Sequence, residues 1–245
     1  MDRGGDGDDR GRAAESAVSG RRSEVGARVA RGGVLERLKS ETAAAHERVE
    51  TMLPLLDPAL TRDAYRGVLA SFLGFYRPLE RALWRHAPAL AALGLHAAER
   101  RKTPLLERDL RALGDEASLV AARECARLPD IRALAGAVGA LYVLEGATLG
   151  GRVIARHVAR SIGVGEGNGG AFFSGYGDRV GAMWTAYRDV VVRYVEGGGD
   201  EEAIVDAAVE TFEALERWLG GTLAERRRAV VSATESCQLS VMSGQ

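Results

Sequence analysis

The stretch Leu35-Glu36-Arg37-Leu38-Lys39-Ser40-Glu41-Thr42-Ala43-Ala44-Ala45-His46-Glu47-Arg48-Val49-Glu50 decides the fold class. Leu35, Leu38, Thr42, Ala45 and Val49, with Leu53 beyond, recur at intervals of three and four, the period of a helix with one buried face. Pro54 ends the pattern. The same period returns downstream. It predicts a second helix from Thr61 to His86, kinked at Pro78, and a third from an N-cap at Thr103, with Pro104 at the first helical position, to a stop at Gly114. A short helix is expected over 116–127, then a long one capped by Asp130 and reaching Ile162. After the glycine-rich loop Gly163 to Gly170, helices are expected over 178–196 and 200–219, separated by Gly197-Gly198-Gly199. No alternating strand pattern and no internal repeat interrupts this series. The expectation is a single all-α domain of about seven helices over 33–220.

Bulk properties narrow the function. The 245 residues are 46% hydrophobic with a formal net charge of -1, which suits one core and argues against a nucleic-acid binder. Cys125 and Cys237 make no disulfide framework, so a cytoplasmic setting is expected. No run of apolar residues is long enough to predict a membrane span. Residues 1–32, rich in Gly, Arg and Asp, read as a disordered tail without signal-peptide or transit-peptide character, and 221–245 as a C-terminal tail. Arg226-Arg227-Arg228 reads as a solvated helix end, with attraction of an acidic redox partner as the lesser alternative, and Phe172, Phe173 and Tyr176 read as core aromatics, with a place in a pocket lining as the alternative.

Two helices carry the chemistry. His46 is centred on an apolar helical face, where a lone histidine is ordinarily a core residue. Glu50 lies one turn on, at the spacing where side chains meet and a ligating imidazole is tuned. Lys39 lies seven residues earlier on nearly the same face, roughly 10 Å along the axis at 1.5 Å per residue. The long helix carries Gly136, Gly139, Gly146, Gly150 and Gly151, each costing roughly 1 kcal/mol relative to alanine. Close helix packing accounts for Gly136 and Gly139. For Gly146, Gly150 and Gly151 a second reason is expected: a kink, and backbone brought close to a large flat ligand. A metal-ligating nitrogen on one helix and a bare stretch on another point to a haem held between them. His86, His96 and His157 are read as bystanders.

The chain resembles the haem oxygenases in Leu38-Lys39, Thr42, His46 and Glu50, then Gly146, Gly150 and Gly151, then Tyr187-Arg188. Tyr142 to Arg152 and Phe172-Phe173-Ser174-Gly175-Tyr176-Gly177 are most similar to the bacterial branch associated with bacteriophytochromes. The resemblance implies His46 as the proximal iron ligand, Glu50 as its acidic neighbour, and Lys39 and Arg188 as propionate-binding bases. It also implies Gly146, Gly150 and Gly151 as the distal glycines. Two positions depart from the pattern. Ala147 stands where many members carry an aspartate, and Leu141 where some carry a tyrosine, with Tyr142 adjacent as the candidate in its place.

The resemblance implies that haem is both prosthetic group and substrate, cleaved with O2 to biliverdin, carbon monoxide and ferrous iron. A neutral imidazole donates less to iron than a thiolate does and does not hasten O–O cleavage, which suits attack on the porphyrin itself. No dinucleotide fingerprint is present, so electrons are expected from an external ferredoxin or flavoprotein reductase. A bacteriophytochrome is the implied consumer of the bilin. Against this stands a haem carrier or sensor with the same fold and no turnover, to which Ala147 lends weight. A third reading is an enzyme of the same helical superfamily acting on another substrate or using a di-iron centre, which would need several inward Glu/His pairs.

Overall fold

The computed structural model describes residues 33–121 and 123–243. In chain order the helices are α1 (33–52), α2 (Arg62–Leu83), α3 (Ala87–Ala92), α4 (Thr103–Ala112), α5 (Glu116–Ala121), α6 (Leu134–Ile162), α7 (Ala171–Ser174), α8 (Val180–Glu196) and α9 (Glu201–Ser243). No strand occurs among the described residues. Among the described residues two short helices, α3 with six residues and α7 with four, were not expected, and without them the expected seven remain. The expected tail 1–32 lies outside the described residues.

α1 turns Val34, Leu38, Thr42, Ala45 and Val49 inward, as the apolar spacing predicts. Thr42 is tolerated there because its hydroxyl donates to the Leu38 carbonyl at 2.6 Å. α2 starts on Thr61, whose hydroxyl accepts from the Ala64 N–H at 3.1 Å, and it continues through Pro78. It is buried along nearly its whole length. α6 packs against α9, and here glycine is required: a Cβ at Gly136 would collide with the Asp130 carbonyl, and one at Gly139 with the Ile204 carbonyl. Tyr187 of α8, fully buried, donates to the Val138 carbonyl at 2.9 Å and ties α8 to the same stretch.

Several boundaries differ from expectation, each for a tertiary reason. Thr103 is the first residue of α4 rather than its cap. The open N–H groups of Lys102 and Thr103 are taken up by the Glu80 carboxylate from α2. α5 ends at Ala121, not 127, and the chain then crosses α2 with Cys125 N–H donating to Gly74 O at 2.8 Å. Asp130 does not cap α6: it pairs with the backbone and guanidinium of Arg132, and α6 starts after Ala133 without a side-chain cap. Gly163, at φ +67°, closes α6 as expected. The expected tail from 221 is instead the continuation of α9, which runs unbroken through Gly220 and Gly221 to Ser243. α6 is long and apolar enough to cross a membrane by length and composition alone, but 61% of that window is buried inside the fold.

Candidate active site

A cavity of about 450 Å³ lies between α1 and α6. α1 contributes Lys39, Thr42, His46, Val49 and Glu50. α6 contributes residues 142–144, 146–151 and Ile154. Phe72 and Tyr76 of α2, Phe172 and Phe173 of α7, Trp184 of α8, and Phe212 and Leu215 of α9 complete a mostly apolar wall. Asp109 fixes the α7 aromatics, since its buried carboxylate accepts the N–H groups of Ala171 and Phe172 at 2.8 and 2.7 Å.

His46 faces this space. Its side chain is 51% exposed, so it is not a core histidine. Nε2 stands 3.5 Å from Glu50 Oε1, a loose contact rather than a strong bond, and the ring meets Phe212 edge-on with centroids 5.6 Å apart. Among the described residues no group of three or more His, Cys, Asp or Glu side chains is placed to hold a bare ion. A single imidazole suits a metal whose other bonds come from a macrocycle. A di-iron centre has no ligand set here.

The α6 glycines divide by environment. A Cβ at Gly150 would meet nothing within 4 Å, and one at Gly146 only the Trp184 ring at 3.9 Å. Packing therefore does not require glycine at either position. Gly151 is different: it lines the cavity, but a Cβ there would strike the Phe173 carbonyl, so close approach of α7 explains it. The helix is continuous through all three. Ala147 also lines the cavity and brings no acid to it.

Lys39 lines the cavity and is exposed, whereas Arg188 is exposed on α8 and does not contribute to the lining. Tyr142 connects the two sides. Burial raises its hydroxyl pKa, while a hydrogen bond with Thr42 of α1 and the nearby Arg188 charge oppose the rise. Its ring lies 5.7 Å from that of Trp184. His86 Nε2 contacts the Ile131 carbonyl at 2.8 Å and His157 Nε2 the Asp57 carbonyl at 3.0 Å, and neither lines the cavity.

The structure adds a polar cluster that the residue pattern did not mark. Glu145, immediately before Gly146, is 1% exposed and accepts from Arg100 Nη1 at 2.6 Å and from the Tyr176 hydroxyl at 2.8 Å. Burial raises its carboxyl pKa against the opposing pull of Lys102 and Arg100. Lys102 is buried beside it and contributes to the cavity wall. Tyr176, expected to be plain core, is thus a hydrogen-bonding partner. The available signal was an acid inside an apolar helix.

Fold and cavity together define an all-helical protein with a mostly apolar cavity bordered by one histidine and by glycines of a facing helix. The sequence profile described as heme oxygenase matches residues 33–220, and the chain belongs to the haem oxygenase family, a family of haem-degrading oxygenases. No curated protein sequence matches it. The fold is similar to that of heme oxygenase-1 from the cyanobacterium Synechocystis in complex with heme. That match has a TM-score of 0.61 and 15% identity, covering 84% of this chain and 99% of that one. It is also similar to heme oxygenase from Leptospira interrogans, with a TM-score of 0.58 and 16% identity over 76% of this chain and 98% of that one.

Proposed function

We propose that the cavity between α1 and α6 would hold haem with His46 as a ligand to its iron, and that the chain converts this haem with O2 and external electrons to biliverdin, carbon monoxide and ferrous iron. The observation that carries the reading is the pairing of a cavity-facing imidazole with Gly146 and Gly150, where no packing demands glycine. When bound, haem supplies both the iron that activates dioxygen and the carbon that is oxidised. The chain's residues do the rest. His46 binds, and Glu50, one turn away, orients the imidazole. Lys39 at the exposed rim holds a propionate by a charge-assisted hydrogen bond, with Arg188 from α8 as the second base and Tyr142 between them. Gly146 and Gly150 would leave room on the α6 side of the cavity for a diatomic co-substrate. The mostly apolar wall lowers the local dielectric and strengthens the polar contacts within it.

Electrons come from a separate ferredoxin or flavoprotein reductase, the bilin is passed to a bacteriophytochrome, and the setting is cytoplasmic. A carrier or sensor that binds haem without turnover is the second reading, favoured by Ala147. One experiment separates them: purified protein is titrated with hemin, then given ascorbate or reduced ferredoxin. Biliverdin absorbance rising as the Soret band decays supports the oxygenase. A persistent Soret band supports the carrier, and absence of hemin binding refutes both.

A further inference from the structure

Lysine occurs at only two positions in the chain, 39 and 102, among a combined 33 lysines and arginines. Both line the cavity. The distinction is chemical, because a guanidinium keeps its proton at any working pH whereas a buried ammonium gives its proton up readily. Lys39 is exposed, and Lys102 is 2% exposed.

The surroundings of Lys102 hold its charge without taking its protons. Its Nζ has no hydrogen-bond partner among the described residues and lies 3.4 Å from the centroid of the Tyr176 ring. The ionisable groups that act on it are Glu80 from α2, Glu145 from α6, Arg100 from the preceding turn, and Tyr176, with Tyr76 of α2 lining the same cavity. Both carboxylates are committed elsewhere. Glu80 accepts the N–H groups of Lys102 and Thr103, and Glu145 accepts from Arg100 and Tyr176. Burial lowers the Lys102 pKa to about 8, with Glu145 and Glu80 resisting the fall and Arg100 adding to it. A buried ammonium with donors to spare is uncommon and invites a partner brought by the cavity's ligand.

We propose that Lys102 is a proton donor to the reacting substrates in this cavity, supplying from the α4 side the acid that Ala147 does not supply from α6. This rests on the haem oxygenase reading, in which reduction of O2 by external electrons consumes protons. One proton leaves Nζ for an oxygen atom of the co-substrate, and the amine is left neutral with its lone pair. Solvent water, which reaches the cavity at exposed Lys39 and half-exposed His46, returns the proton. No electron moves through the lysine.

Two readouts on the full chain test this. With lysine labelled at ¹⁵Nζ, only two side-chain signals arise, assigned with Lys39→Arg and Lys102→Arg. The Lys102 signal is expected to titrate near 8, against about 10.4 for an ordinary lysine. A Lys102 titration at the ordinary lysine value would overturn the proposal without touching the haem reading. In the second readout, Lys102→Arg is expected to take up hemin like the wild type, by Soret titration, while biliverdin formation falls on the order of a hundredfold. The wild-type alkaline limb near pH 8 is expected to be absent in the variant. Equal rates and equal pH profiles would overturn the proposal and leave the oxygenase reading standing. Failure of the wild type to bind hemin would overturn that reading and the proposal with it. If Lys102→Arg does not fold, Lys102→Met and the wild-type titration decide in its place.

Discussion

The two halves of α6 use the same residue type for opposite purposes. In the first half, Gly136 and Gly139 are buried, and neighbouring carbonyls stand where a Cβ would be. In the second half, Gly150 is exposed to open space and Gly146 nearly so. The helix-propensity cost of glycine is therefore offset by close packing in one half. In the other it remains uncompensated within the chain itself. An uncompensated local cost in a well-packed helix marks a place shaped for a ligand. Glu145 sits at the junction, held by Arg100 and Tyr176.

The contrast is breakable. The largest effect is expected at the junction: Arg100→Met leaves Glu145 buried without its guanidinium and should cost about 3–5 kcal/mol. Urea denaturation measures it, and a loss below about 1 kcal/mol would mean that the pair is solvated. Gly139→Ala should destabilise by about 1–3 kcal/mol through overpacking, despite alanine's better helix propensity. Gly150→Ala should do the reverse, stabilising the ligand-free chain by up to about 1 kcal/mol. The same variant should keep hemin uptake but weaken carbon monoxide binding to the ferrous complex. If Gly150→Ala and Gly139→Ala destabilise alike, the division of α6 is wrong.

A smaller effect concerns pH. Lys102 has its pKa lowered to about 8 in the folded chain. Above that value the folded state has released a proton that the unfolded chain holds until about 10.4. Stability from this group therefore rises as pH climbs through that window. Thermal midpoints of wild type and Lys102→Met, compared at pH 7 and 9.5, should shift relative to each other in favour of the wild type at the higher pH. A constant difference would show that the amine titrates normally.

Much of this was legible in the sequence because helices announce themselves by period. The inward face of α1, the start of α2 at Thr61 and the end of α6 before Gly163 stand where apolar spacing and the glycine-rich loop put them. What was not legible came from partners distant in sequence. Glu80 caps α4 from another helix, which no pattern around Thr103 encodes. Gly220-Gly221 resembles a helix end, but α9 continues through it, with Met52 of α1 packed 3.2 Å from where a Gly220 Cβ would lie. That His46, Glu50 and Lys39 line one cavity was readable because they share one helix face. The cluster of Arg100, Lys102, Glu145 and Tyr176 was not, because the fold assembles it from separate segments. Glycine count alone could not separate Gly151, set by Phe173, from Gly150.

Hemin titration of wild type and His46→Ala, followed at the Soret band with and without added imidazole, tests the central claim most directly. The wild type should bind one equivalent. The variant should fold normally, since the side chain it loses is half exposed, yet lose the wild-type spectrum and recover it when imidazole is supplied. A variant whose Soret band and hemin affinity match the wild type without imidazole would contradict the account.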